Sequence, residues 1–137
     1  LGAGGAAPAI IMALKRFGAS KIIISNRTKK KADDLKKFYS YLDIIEWGKA
    51  PDFDMIINAT SLGLNKTDEI KLNYEDIGPN KLFYDVIYNP AQTNFLKQAK
   101  LFGNKIENGK MMFIYQAQLS FKIWHGILPN VKESLLD

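Results

Sequence analysis

Small residues open the chain at a spacing that suits a phosphate. Gly2, Gly4 and Ala7 fit the pattern G-x-G-x-x-G/A, with Ala3, Gly5 and Ala6 between them. Glycine at the first position permits a tight turn off a strand, and at the second lets backbone approach a pyrophosphate. Alanine at the third lets the following helix pack close to a sheet. The free amides and positive dipole end of that helix suit an anion. A plain glycine-rich turn before a helix is the alternative reading.

Further along, Asn26-Arg27-Thr28 follows a β-branched run, with Lys31 one helical turn beyond. A dinucleotide site built for NAD wants a carboxylate there, for the ribose hydroxyls. A guanidinium instead offers a fork of donors to a 2′-phosphate, which favours NADP. The alternative is that Arg27 is a surface charge after a strand. Asn58-Ala59-Thr60-Ser61 offers small side chains and free amides beside a ribose or nicotinamide, or else a simple Asx or Ser/Thr turn. Tyr88 is either a hydroxyl offered to a ligand or a buried, satisfied tyrosine. Gln116 is a rim position or a ligand contact, and His125 reads as a surface or helix-end residue.

The elements that must position these groups alternate. Helical spacing runs from Ala6 to Phe17, with Pro8 in the first turn and Gly18 as a stop. Lys21 to Ser25 is a strand, and Thr28 is placed to cap a helix from Lys29 to Tyr39. Ile44 to Glu46 and Met55 to Asn58 are strands, and Asn65 to Asn80 is a loop with at most a short helix. Leu82 to Ile87 is a strand, Thr93 caps a helix through Leu101, and Lys105 to Glu107 is a short last strand. Met111 to Trp124 reads as a long amphipathic helix, and Pro129 as the start of a final short one. The pattern predicts an α/β, doubly wound parallel sheet covered on both faces in three layers. Every chemistry-bearing segment then falls at the carboxyl edge of the strands.

Composition narrows the function classes. The 137 residues suit one domain. With no cysteine there is no disulfide framework, thiolate nucleophile or cysteine metal site, and a single histidine excludes multi-histidine ligation. No metal site is expected. No apolar run reaches membrane-spanning length and no secretory signal is visible. The net charge of +5 is carried largely by lysines, with Lys29, Lys30, Lys31, Lys36 and Lys37 on one stretch. They read as a solvated helix face; nucleic-acid binding would want aromatics interleaved with them.

Taken together, Gly2 to Ala7, Asn26-Arg27-Thr28, Ile57 to Gly63, Tyr84 to Pro90, Gly109 with Met112, Gln116-Ala117 and Trp124-His125-Gly126 resemble the shikimate dehydrogenase family in order and near spacing. The resemblance covers nearly the whole chain. It implies a Rossmann-like NADP-binding domain, over residues 1–137, of a cytoplasmic enzyme that reduces 3-dehydroshikimate to shikimate with NADPH, on the pathway to aromatic amino acids. By resemblance, Gly2, Ala3, Gly4, Gly5 and Ala6 hold the pyrophosphate. Asn26, Arg27, Thr28 and Lys31 clamp the 2′-phosphate, Lys31 standing where the family commonly has arginine. Ala59, Thr60, Ser61, Val86, Gly109 and Met112 line the cofactor, and Tyr88 and Gln116 reach the substrate. Pro8 and Leu64 depart from the family's usual basic residue and methionine.

The family's catalytic Lys–Asp pair belongs to an N-terminal substrate domain outside these residues, so no catalytic residue is assigned. The chain by itself is expected to bind NADP weakly and to reduce nothing. It is also expected to be part of a longer protein, because the strand feeding the glycine loop, central in the order 3-2-1-4-5-6, is largely missing. Unless rearrangement or a partner's strand fills the gap, its neighbours would carry unpaired backbone groups. The helices from about 111 to 137 would contact the substrate domain, and their apolar surface, if exposed, favours a homo-oligomer. Neither a membrane nor a nucleic acid is an expected partner. A quinate/shikimate relative using NAD and a non-enzymatic dinucleotide-binding fragment are the competing readings.

Overall fold

A computed structural model describes residues 1–132 of the chain. The β-branched run Ile22–Ser25 forms strand β1, and Leu42–Ile45 forms β2, paired in parallel with Ile22 opposite Leu42 and Ser25 opposite Ile45. Helix α1, Ala7–Arg16, precedes β1, and α2, Lys29–Phe38, makes the crossover to β2. Ala7, Ile11, Ile22, Ile24, Ala32 and Leu42 make one buried core between these helices and strands. Met55–Asn58 forms β3, Leu82–Asp85 forms β4 and Lys105–Asn108 forms β5, again in parallel and in that order across the sheet. Short α3, Tyr74–Ile77, and α4, Asn94–Leu101, lie in the crossovers. Their core is aromatic: fully buried Phe83 meets Phe95, Phe53 and Tyr74 at ring-centroid distances of 5.2, 5.8 and 5.9 Å.

Parallel strands alternating with helices make this a Rossmann-like α/β chain. The expected strand order appears with its first member left out, as β1-β2 and β3-β4-β5. Among the described residues, the backbone hydrogen bonds that link the two sheets run through Leu1 and Gly2. The Leu1 amine donates to the Ile57 carbonyl at 2.7 Å, the Leu1 carbonyl accepts from Ala59 N–H at 2.8 Å, and Gly2 N–H donates to the Ser25 carbonyl at 2.8 Å. Beyond them the facing edges of β1 and β3 line an apolar groove of about 350 Å³, with Ile11 and Leu14 on its wall. The described chain does not rearrange to close it.

Some sequence expectations need correction. Strand β2 starts at Leu42, whose fully buried side chain opposes Ile22, and ends at Ile45. Helix α5, Lys110–His125, is present, but it is not amphipathic in the expected sense. Met111, Met112, Phe113, Ile114, Leu119, Phe121, Ile123 and Trp124 are spread around its whole circumference, and it buries none of its residues. Residues 129–132 are not helical. Gln118 Nε2 instead donates to the Pro129 carbonyl at 2.6 Å, holding the tail back along α5; the rest of that expected helix lies outside the described residues.

Candidate functional site

Two loops at the carboxyl edge are tied together by one amide side chain. Asn26 Oδ1 accepts from Ala3 N–H at 3.0 Å, and Asn26 Nδ2 donates to the Thr28 carbonyl at 2.8 Å. The glycine loop and the turn after β1 are thereby fixed relative to each other before any ligand arrives. Gly2 holds φ at +99°, and a Cβ there would come within 2.8 Å of Thr60 Cγ2 and 2.9 Å of the Ala59 carbonyl oxygen. That position needs glycine on both counts. Gly4 differs: a Cβ there would meet nothing within 4 Å, so the space in front of it is open to a ligand. Ala7, buried at the start of α1, packs into the first core and donates its N–H to the Gly4 carbonyl at 3.1 Å. The amides of Gly4, Gly5 and Ala6 have no hydrogen-bond partner among the described residues.

These loops form a recess of about 210 Å³, lined by Ala3, Gly4, Asn26, Arg27, Thr28, Lys31, Trp47, Thr60, Ser61 and Leu62. Arg27 and Lys31 are exposed, and no ion pair is formed by either among the described residues. Their neighbours on α2 are partly spoken for: Lys29 pairs with Asp33 at 2.8 Å and Lys37 with Asp34 at 2.7 Å. Unspent positive charge thus shares the recess with Gly4, whose amide is free among the described residues, an arrangement that fits a multiply charged anion. Thr28 occupies the cap position of α2, but its hydroxyl makes no capping bond. Lys31 N–H goes to the Thr28 backbone carbonyl instead, at 3.0 Å.

The opposite wall is held from beneath by a buried polar network. Asn58, fully buried at the end of β3, uses its whole amide. Its Nδ2 donates to the Leu62 carbonyl and to Asp85 Oδ1, both at 3.0 Å. Its Oδ1 accepts from Thr60 N–H at 3.0 Å and from the Thr60 hydroxyl at 2.7 Å. Leu62 N–H in turn donates to Thr60 Oγ1 at 3.0 Å, so the segment that lines the recess is wound around one side chain. Asp85, fully buried at the end of β4, also accepts from Ile87 N–H at 3.0 Å and from the Thr93 hydroxyl at 2.6 Å. Burial pushes its carboxyl above the usual carboxylate range, while the bonds from Thr93, Ile87 and Asn58 oppose that shift. One carboxylate therefore positions both the loop after β3 and the loop after β4.

A second group of expected residues gathers elsewhere on the same edge. Gly109 sits directly against Val86: a Cβ there would lie 2.0 Å from the Val86 carbonyl oxygen. Gly109 N–H donates to the Ile87 carbonyl at 3.3 Å, and Gly109 opens α5. Tyr88, half exposed, stacks on Phe113 with ring centroids 4.7 Å apart and planes at 23°. Met112 stands in the first turn of α5, and Gln116, one turn on, is exposed.

The recess therefore brings together Ala3, Gly4, Asn26, Arg27, Thr28, Lys31, Thr60 and Ser61. Gly2 and Ala59 line the apolar groove behind it, and Gly5, Ala6, Val86, Gly109, Met112, Tyr88 and Gln116 do not line the recess. The groove is the larger cavity, but it presents mainly aliphatic side chains and strand backbone, whereas the recess holds Arg27 and Lys31 beside the glycine loop. Trp47 escaped the sequence reading. Its signal was available: an aromatic residue just past the end of β2, on the edge where the other site residues fall. No cluster of metal-ligating side chains occurs among the described residues, and none of their helices is long and apolar enough to cross a membrane.

No family model matches the chain. It is 57% identical over 137 residues to a shikimate dehydrogenase (NADP(+)) from Pelagibacter ubique, covering 100% of this chain and 52% of that protein. Among solved structures, the shikimate dehydrogenase of Aquifex aeolicus superposes with a TM-score of 0.81 at 35% identity, over 98% of this chain and 49% of the other. The shikimate 5-dehydrogenase of Thermus thermophilus, solved with NADP(H) and shikimate, gives a TM-score of 0.82 at 33% identity, over 94% and 49% of the two chains. The chain spans about half the length of the curated relatives it matches. With its fold and its full-length match to one part of these enzymes, the chain belongs to the shikimate dehydrogenase family.

Proposed function

We propose that this chain is the NADP-binding half of a shikimate dehydrogenase, working in hydride transfer between NADPH and 3-dehydroshikimate. The observation that carries the reading is the recess: exposed Arg27 and Lys31, without ion pairs among the described residues, face the open space in front of Gly4. Arg27 and Lys31 would hold the 2′-phosphate, assisted by Asn26 and Thr28. The amides of Gly4, Gly5 and Ala6 would hold the pyrophosphate. Thr60 and Ser61 form the wall that Asn58 keeps in register. When bound, the nicotinamide supplies the hydride; the protein's part is to orient and to exclude water.

On this reading Val86, Gly109 and Met112 face the nicotinamide, and Tyr88 and Gln116 reach the substrate. The exposed side chains Phe113, Leu119, Ile123, Trp124, Ile127 and Leu128 then form the surface that meets the substrate-binding half. Left uncovered, they favour self-association. The test is calorimetric titration of NADPH and NADH into the chain, with Arg27→Ala as the comparison. Preference for NADPH that disappears in the variant supports the reading. Equal affinities unaffected by the substitution overturn it.

A further inference from the structure

We infer that Trp47 is the residue against which the nucleotide's adenine lies, so that the recess recognises a base as well as a phosphate. The inference rests on the NADP reading above and names one more side chain of that site. Trp47 follows β2 directly, in a turn closed by Lys49 N–H donating to the Glu46 carbonyl at 3.2 Å, with Gly48 at φ +85°. The same carbonyl accepts from the Ser25 hydroxyl at 3.0 Å, which ties the turn to the end of β1, just before Asn26 and Arg27. The indole is partly buried and packs against the aromatic core around Phe83, so its position is set from behind. It also lines the recess, together with Arg27 and Lys31 and with Thr60 to Leu62.

This is the division of labour a nucleotide needs. Cations take the phosphate, and a flat, preorganised apolar surface takes the ring. Among the described residues, Trp47 is the only aromatic lining the recess. Stacking of a base on an aromatic side chain is worth about 1–3 kcal/mol by truncation. Converted at 1.4 kcal/mol per decade, that is roughly a 5- to 100-fold change in affinity.

The second tryptophan makes the assay clean. Trp124 lies on α5 and is 76% exposed, outside the recess. Trp124→Phe leaves Trp47 as the sole tryptophan. Adenosine 2′,5′-bisphosphate should quench its emission, with a midpoint equal to the calorimetric Kd. In Trp47→Phe the emission of Trp124 should not respond. Trp47→Leu should weaken the bisphosphate by roughly 5- to 100-fold while Trp47→Phe stays within about threefold of the parent. Circular dichroism checks that each variant folds, and inorganic phosphate, which has no base, should bind all three chains alike. If the bisphosphate binds in an Arg27-dependent way with no quenching and no loss in Trp47→Leu, the role of Trp47 is refuted and the NADP reading stands. Quenching by nicotinamide mononucleotide instead would put the other ring there and refute it too. Failure of the bisphosphate to bind at all overturns both.

Discussion

Thr93→Val is the substitution that most sharply tests the buried network under the site. Valine keeps the shape of threonine and removes the hydroxyl. In the parent chain that hydroxyl donates to Asp85 Oδ2 at 2.6 Å and accepts from Leu96 N–H at 3.4 Å, where it caps α4. Hydrogen bonds to charged groups are worth roughly 1.5–3 kcal/mol, and a long capping bond adds at the low end of its range, about 0.5 kcal/mol. The expected loss is about 2–3.5 kcal/mol. Thr93→Ser keeps both bonds and gives up a methyl that packs against Gly63, a loss of about 1 kcal/mol. For a chain of this length 1 kcal/mol corresponds to about 4 °C, so valine should lower the Tm by about 10 °C and serine by about 4 °C.

The pH dependence carries a sign. A buried carboxyl whose folded pKa is raised contributes stability in full below its unfolded pKa, and that contribution is lost as pH rises through the folded pKa. Removing the Thr93 bond, which favours the ionised form, raises that pKa further. The deficit of Thr93→Val should therefore widen from acid toward neutral pH. Urea unfolding at several pH values measures it. Equal losses for valine and serine, or a deficit flat with pH, would refute the network as the anchor of the two loops.

Gly109→Ala should cost about 3 kcal/mol, because a Cβ 2.0 Å from the Val86 carbonyl meets backbone that cannot rotate away; thermal melts check it, and a loss under 1 kcal/mol would mean the two segments separate freely. Gly4→Ala should leave the Tm within about 2 °C, since its Cβ meets nothing, yet weaken NADPH by at least about tenfold by occupying the space a pyrophosphate needs; calorimetry reads the affinity.

How much of this was legible in the residues varies with what encodes it. Runs such as Ile22 to Ile24 and Met55 to Ile57 declare strands by composition alone, although Met55 to Ile57 line the open groove and are not buried as that composition suggests, and Thr93 declared its helix through local capping chemistry. Helix α5 was legible as a helix, but its amphipathic reading failed. Reading Met111 to Trp124 as amphipathic overlooks that apolar residues occupy every face of the helix, and what would bury them is not encoded in local periodicity. The roles of Asp85 and Trp47 depend on partners distant in sequence. Asp85 finds Asn58 from 27 positions away, and Trp47 meets the recess only once β1 and β2 are side by side. Thr28 shows the opposite limit: a residue type suited to capping stands at the cap position, yet Lys31 N–H goes to its backbone carbonyl and its hydroxyl makes no capping bond.

The central claim is that Arg27 gives this chain its choice of coenzyme, and isothermal titration of NADPH and NADH into the parent and Arg27→Ala chains tests it most directly. Loss of a guanidinium–phosphate contact should weaken NADPH by roughly 10- to 100-fold, from about 1.5–3 kcal/mol, and leave NADH within about twofold. Parallel losses for both nucleotides, or no loss for either, would contradict it.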